Sequence, residues 1–176
     1  QALYVGNMLA STVSHQSNLG ALLADNTGLT GIEAFTVEAA DASGAAVFRM
    51  GYLAVASGFV DTVLVVGVEK YTDMVGSGLE SAVSEMVDYD WEAVEGLTPT
   101  SQAGLLMQRY LYEYRPPRQA FAAFPLLAHA NGAGNPNAMY RKAIKPEVYA
   151  GAEPVCDPLN LFDIAPYADG AAAVLL

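Results

Sequence analysis

One segment restricts the fold more than any other: residues 42–58 are apolar or glycine on every side of a helix, apart from Ser43, Arg49 and Ser57. A helix without a polar face has to be buried on all sides. One β-sheet covers only one side of such a helix, so a second layer has to cover the other. The rest of the chain offers no obvious second layer, and we expect that layer to belong to a second half of the protein, absent from this chain.

Strand-like and helical segments alternate along the first part of the chain. The residues from Val63 to Val66 are all valine or leucine, and such an unbroken apolar run is typical of a strand buried on both faces. Strands that alternate with helices indicate an α/β sheet with crossover connections. The predicted strands are residues 2–9, 32–39 and 61–68, and the predicted helices are residues 15–23 and 42–58.

The middle of the chain has a different character, because residues 71–166 are rich in tyrosine, proline, glycine and charge. The prolines at 116 and 117 end one predicted helix, and a turn-rich stretch follows a second. A buried-strand pattern then returns at the end of the chain, so we expect a long insertion between two strands of one sheet. The predictions here are helices at residues 101–114 and 118–130, a turn at 131–136 and a strand at 171–176.

Composition disfavours several classes of function. The formal net charge of −11 disfavours nucleic acid and anionic membrane surfaces, since both attract Lys and Arg. No apolar run reaches the length of a membrane span, and the first residues lack the basic start of a signal peptide. We therefore expect a cytoplasmic protein with no membrane span.

A few isolated residues are weak candidates for chemistry. Cys156 is the only cysteine, so no internal disulfide forms, and its place between two prolines favours an inert, packed thiol. His15 and His129 have no partners at metal-ligand spacing, so no metal site is predicted. A group of aromatic residues has two interpretations. Its members line an acyl channel, or they are part of a core, which is the commoner role of aromatic residues at helical spacing. Its members are Tyr89, Trp91, Tyr110, Tyr112 and Tyr114.

Three stretches, in order, resemble the thiolase superfamily. They are Val-Glu-Ala-Ala-Asp-Ala-Ser-Gly at 37–44, the helix end and strand at 56–69 that closes with Gly-Val-Glu, and Tyr-Ala-Asp-Gly-Ala-Ala-Ala at 167–173. His-Ala-Asn-Gly at 129–132, followed by Asn-Pro at 135–136, is similar to the branch of thiolases related to sterol carrier protein. Together these motifs span nearly the whole chain.

The resemblance implies an α/β fold with five layers (αβαβα), built from two similar halves. It implies that residues 1–70 and 167–176 are most of the N-terminal half, and that residues 71–166 are an inserted loop domain. The family's first strand and helix are then expected before Gln1, and the C-terminal half, with the catalytic histidine and a second cysteine, is absent from this chain.

The resemblance also implies a function: an acyl-CoA C-acetyltransferase of lipid metabolism, which condenses acyl-CoA or cleaves 3-ketoacyl-CoA. Its substrate is a coenzyme A thioester, with no covalently bound cofactor. The implied partners are a second copy of the chain, paired through the strand at 32–39 in a homodimer or higher homo-oligomer, and a small zinc-ribbon and OB-fold protein. The alternative is an aldolase or a non-catalytic scaffold that works with such a subunit.

Asp41 occupies the position at which the family carries its nucleophilic cysteine. A helix start there offers a positive dipole and free N–H groups, and Ser43 and Gly44 are small enough to admit substrate. A carboxylate attacks a thioester poorly, so ordinary thiolysis through Asp41 is not expected. Helix capping by the aspartate is a sufficient structural explanation and is favoured for its side chain. Three origins stay open: a natural change of chemistry, an engineered residue, or an oxidised cysteine written as aspartate.

Overall fold

The computed structural model describes all 176 residues, and the chain forms two compact units. The first unit comprises Gln1–Asp88 and Tyr167–Leu176, and the second comprises Tyr89–Pro166. The first unit contains β1 (Ala2–Gly6), α1 (Ala10–Val13), α2 (Leu19–Thr27), β2 (Glu33–Val37), α3 (Ser43–Ala56), β3 (Val63–Glu69) and α4 (Ser77–Val83). The second contains α5 (Pro99–Tyr114), α6 (Ala123–Ala133), α7 (Pro146–Ala150), β4 (Pro154–Cys156) and β5 (Leu159–Asn160), and β6 (Gly170–Leu175) returns to the first.

The first unit is built on a four-stranded mixed sheet with the order β2-β1-β3-β6. Strands β1, β2 and β3 are parallel, and β6 runs antiparallel to β3. The carboxyl ends of the three parallel strands therefore meet at one edge of the sheet, where β6 begins. Ligand sites of open α/β sheets lie beyond such an edge.

Helices cover the sheet on both faces because the side chains of β1 alternate. Ala2 and Tyr4 pack with Val47 of α3 in one core cluster, whereas Leu3 and Val5 pack with Ala24 of α2 in another. Sequential strands with helices on both faces confirm the predicted α/β class. None of the helices is long and apolar enough to cross a membrane.

Helix α3 buries only one of its sides, at Ser43, Val47 and Gly51. Large apolar side chains on the rest of the helix are exposed: Phe48, Met50, Tyr52 and Leu53. This distribution agrees with the expectation that the chain covers the apolar helix from one side only.

Several predicted boundaries were wrong. The helix predicted at 15–23 spans Leu19–Thr27, because His15 and Asn18 adopt left-handed backbone angles (φ 52° and 58°) and end the preceding turn. The segment predicted as one helix at 118–130 is a 3₁₀ turn, Arg118–Ala122, followed by α6. Helix α5 ends at Tyr114 as predicted but begins at Pro99, because Thr98 caps it and accepts from the Ser101 N–H.

Candidate active site

The turn after β2 places Asp41 at the sheet edge. The chain leaves β2 at Val37 and passes through a 3₁₀ turn, Ala40–Ala42, directly into α3. Ala40 has a φ of 47°, in the left-handed region, which costs a non-glycine residue about 1–2 kcal/mol. Such strain persists only where the surroundings hold the turn, and it presents the next residue, Asp41, at its tip.

Ser43, and not Asp41, satisfies the backbone of this turn. The Ser43 hydroxyl accepts a hydrogen bond from the Ala39 N–H (2.9 Å) and donates one to the Ala40 carbonyl (2.6 Å). The N-cap of α3 is Ala42, and no side chain caps the helix. The prediction that Asp41 caps the helix was therefore wrong: its carboxylate is exposed and makes no hydrogen bond within the chain.

Asp41 lies in a pocket of about 440 Å³ at the carboxyl edge of the sheet. The pocket is lined mainly by backbone, because most of its residues are glycine or alanine. Its lining is Gly6, Met8, Ala40, Asp41, Ser43, Gly44, Gly67, Val68, Glu69, Tyr71, Gly170, Ala171 and Ala172. The structure thus brings together all three residues that the sequence placed at the site: Asp41, Ser43 and Gly44.

Only four lining residues carry a polar side chain, and two of these are engaged in holding the fold. Ser43 is bonded within its own turn. Glu69 accepts hydrogen bonds through Oε1 from the N–H groups of Met8 (2.5 Å) and Leu9 (3.3 Å), and its Oε2 is buried without a partner. The polar lining side chains with no hydrogen bond within the chain are Asp41 and Tyr71.

Tyr71 begins a 3₁₀ turn directly after β3, and its ring packs on that of Tyr167 with the centroids 5.3 Å apart. Burial raises the pKa of the Tyr71 phenol, and the negative charges of Glu69 and Asp41 raise it further. The phenol therefore keeps its proton at neutral pH and is a hydrogen-bond donor in the pocket.

Asp169 ties the turn after β3 to the start of β6. Its carboxylate accepts hydrogen bonds from the Thr72 N–H (3.0 Å) and the Thr72 hydroxyl (2.6 Å). These bonds, first of all the one from the hydroxyl, hold the pKa of Asp169 below its ordinary value of 3.8. Asp169 is part of the Asp-Gly-Ala-Ala motif that the sequence pointed to, and its role in the chain is to position the pocket wall.

The Asp169–Thr72 contact predicts a dependence of stability on pH. A carboxyl group with a lowered folded-state pKa stabilises the fold above its ordinary pKa of about 3.8, and this contribution is lost as the pH falls below that value. In the full-length protein we expect Asp169→Asn to lower the melting temperature at pH 7. The difference between the melting temperatures at pH 7 and pH 3 should therefore be smaller in the variant than in the parent. Thermal melts at both values measure this, and an unchanged difference would contradict it.

The weaker sequence candidates lie in the second unit or on the surface. Cys156 packs against α5, where a Cβ added to Gly104 would lie 2.8 Å from its Sγ. His129 contacts the Lys142 carbonyl and the rings of Tyr140 and Phe162. The interpretation of the aromatic group as core was wrong, because all five side chains are exposed: Tyr89, Trp91, Tyr110, Tyr112 and Tyr114.

Sequence reasoning missed Glu69 and Tyr71 as members of the site. Both follow the end of β3, and β1 separates this strand from β2 in the sheet. A signal was present, because the carboxyl ends of parallel strands share one edge and β3 was predicted correctly. The strand order, which only the structure supplies, was needed to place Tyr71 in the pocket of Asp41.

The fold is that of a known family. The model of the family described as "Thiolase, N-terminal domain" matches residues 1–156, and the chain therefore belongs to the thiolase family. It is 41% identical over 175 residues to an acetyl-CoA acetyltransferase of Methanothermobacter thermautotrophicus, covering 99% of this chain and 45% of that protein. It is 39% identical over 174 residues to an acetyl-CoA acetyltransferase of Methanocaldococcus jannaschii, and this match covers 99% of this chain and 44% of that protein.

A solved structure, "Ltp2-ChsH2(DUF35) aldolase", shares the fold with a TM-score of 0.76 at 23% identity, over 99% of this chain and 44% of that one. The chain thus has the thiolase fold and spans less than half the length of the relatives it matches.

Proposed function

We propose that the full-length protein makes or breaks a carbon–carbon bond next to the thioester of an acyl-CoA. Kinship favours a thiolase-type acyl-CoA C-acetyltransferase, because the two archaeal relatives carry that name. The observation that carries the proposal is the pocket at the sheet edge, with the family's nucleophile position, Asp41, on its wall and small residues around it. Its volume of about 440 Å³ suits the acyl end of such a substrate.

The free carboxylate of Asp41 favours a second candidate, aldol-type cleavage or condensation without a covalent intermediate. A residue kept for capping would be bonded to the helix, and Asp41 is not. A carboxylate in a pocket is a suitable general base, whereas an acyl anhydride formed on it would hydrolyse. The structural neighbour is named as an aldolase, and this agrees with the second candidate.

One experiment separates these candidates and also tests the proposal as a whole. The full-length protein is incubated in D₂O with acetyl-CoA, and deuterium incorporation at C2 and protein mass are followed together. An acetylated protein supports acetyl transfer, and exchange without acetylation that is lost in Asp41→Asn supports base catalysis by Asp41. If the protein exchanges no deuterium, forms no adduct and does not turn over acetoacetyl-CoA, the enzymatic role is contradicted. The non-catalytic scaffold is then the remaining candidate.

For the architecture, we propose that residues 1–70 and 167–176 form most of the thiolase N-terminal half and that residues 71–166 form its loop domain. The proposed partners are acyl-CoA, a second copy of the chain and a small zinc-ribbon and OB-fold subunit. The structural neighbour, whose name includes a DUF35 component, supports this last partner. A pull-down of the full-length protein with the co-expressed subunit tests it.

Strand β2 is at an edge of the sheet, and we propose that it pairs antiparallel with its copy across a two-fold axis. The Asn7 N–H donates to the Val37 carbonyl, so the backbone groups of Val37 point toward β1. The backbone groups of successive strand residues point to opposite sides, and those of Ala34 and Thr36 therefore point away from β1. Ala34→Pro removes one of these outward donors without breaking the β1 ladder.

We expect Ala34→Pro to convert the full-length dimer to monomer while its far-ultraviolet circular dichroism stays the same. Analytical ultracentrifugation measures this. A variant that folds and stays dimeric would show that the interface lies elsewhere.

A further inference from the structure

The hydroxyl of Tyr71 differs from those of the other shielded tyrosines of the chain. Four tyrosines are buried or partly buried, and three of them donate to a carboxylate. These three bonds join Tyr4 to Glu33 (2.7 Å), Tyr149 to Asp163 (2.9 Å) and Tyr167 to Glu80 (3.0 Å). The Tyr71 hydroxyl has two carboxylates near it, Glu69 and Asp41, and bonds to neither. Tyr71 is thus a partly buried residue whose hydroxyl has no hydrogen-bond partner within the chain, and it lines the pocket.

The surroundings of Tyr71 fix its ring. On one side the ring packs against Tyr167, whose own hydroxyl is bonded to Glu80. The next residue along the chain, Thr72, is bonded through its N–H and its hydroxyl to Asp169. Side chains held in this way present a hydrogen-bond donor at low cost in conformational entropy, which is what catalysis by preorganised dipoles requires.

The charges around Tyr71 determine which chemistry it can perform. Burial and the two carboxylates raise its pKa, so loss of the phenolic proton is disfavoured. Some enzymes place a neutral phenol beside an aspartate for proton abstraction. The aspartate removes a proton from the carbon next to a carbonyl, and the phenol donates a hydrogen bond to the resulting oxyanion. Of the other polar side chains in this pocket, Ser43 is engaged by the backbone, and Glu69 is engaged through Oε1 while its Oε2 is buried without a partner.

We propose that the Tyr71 hydroxyl donates a hydrogen bond to the thioester oxygen of a bound acyl-CoA while Asp41 removes a proton from its C2 carbon. This assignment rests on the proposed function of the same pocket. The C2–H bond breaks and its proton moves to the Asp41 carboxylate. Its electron pair forms the C1–C2 double bond of the enolate, and the carbonyl electrons move to the oxygen that Tyr71 holds. Tyr71 keeps its proton, so the step needs no further reactant.

The test compares Tyr71→Phe with the matched control Tyr4→Phe in the full-length protein. Both variants remove one phenol hydroxyl, and Tyr4 lies outside the pocket and is bonded to Glu33. Loss of an oxyanion donor lowers a rate about 10²–10³-fold. We expect Tyr71→Phe to slow deuterium incorporation at C2 of acetyl-CoA by that factor and Tyr4→Phe to leave it within about twofold of the parent.

A binding measurement distinguishes contact with the carbonyl from a merely structural role. S-Ethyl-CoA, a thioether, has the same length as acetyl-CoA but no carbonyl oxygen. Tyr71→Phe should weaken calorimetric binding of acetyl-CoA and leave binding of S-ethyl-CoA unchanged. Equal weakening of both ligands, or unchanged exchange in Tyr71→Phe, would overturn the assignment. A parent protein that binds neither ligand and exchanges no deuterium would instead refute the proposed function of the pocket.

Discussion

Replacement of Asp41 by cysteine in the full-length protein is expected to create a covalent acetyl-enzyme where the parent forms none. The turn that presents residue 41 is held by Ser43 and the backbone and not by the aspartate, so a cysteine at this position keeps the same place. A thiol near the start of α3 feels the positive end of the helix dipole, which favours the thiolate. The small residues of the pocket leave room for the thioester.

The measurement is the intact mass of both forms after incubation with acetyl-CoA. Both carry Cys156→Ser, so that the only thiol of this segment is the one that Asp41→Cys introduces. A control, Ala42→Cys, places a thiol one residue further along the same turn and should stay unmodified. An acetyl group on the Asp41 form, or none on a folded Asp41→Cys form, would show that the pocket is not a converted acyl-transfer site.

Two glycines paired in the sheet are expected to respond in opposite ways to alanine. Gly6 of β1 and Gly67 of β3 are register partners and both line the pocket. A Cβ at Gly6 would lie 2.7 Å from Val47 Cγ1 and 2.8 Å from the Ser43 carbonyl oxygen, whereas a Cβ at Gly67 meets nothing within 4 Å. Helix α3 packs against β1 only because residue 6 has no side chain.

We therefore expect Gly6→Ala to destabilise the full-length protein by about 1–3 kcal/mol, the usual cost of overpacking. It should also displace the start of α3 and with it residue 41. Gly67→Ala should keep or raise stability, since alanine loses about 0.5–1 kcal/mol less than glycine in a strand, while it narrows the pocket and weakens acetyl-CoA binding. Urea unfolding and calorimetry measure the two effects, and equal destabilisation of both variants would contradict the packing described.

Elements with a clear pattern of apolar residues could be predicted from the sequence. Strand β3 and helix α3 have buried runs that no other local structure accommodates, and both lie within two residues of their predicted bounds. The short helices α1, α4 and α7 were missed, because four to seven residues carry too little periodicity to stand out from loop.

The site was predictable only in part, since its residues come from three strand ends and one distant segment. Asp41 could be found by its place in a motif, but its capping role could not be judged without knowing that Ser43 already serves the turn. Tyr71 belongs to no motif, and its only sequence signal is its place after β3. Its importance follows from an unbonded hydroxyl and two nearby carboxylates, and both depend on tertiary structure.

The most direct test of the proposed chemistry is a crystal structure of the full-length protein with bound acetyl-CoA. We predict the C2 carbon at about 3–3.5 Å from an Asp41 carboxylate oxygen, the near-attack distance, with the thioester oxygen at hydrogen-bond distance from the Tyr71 hydroxyl. An acetyl group bound outside this pocket, with Asp41 and Tyr71 facing solvent, would contradict it.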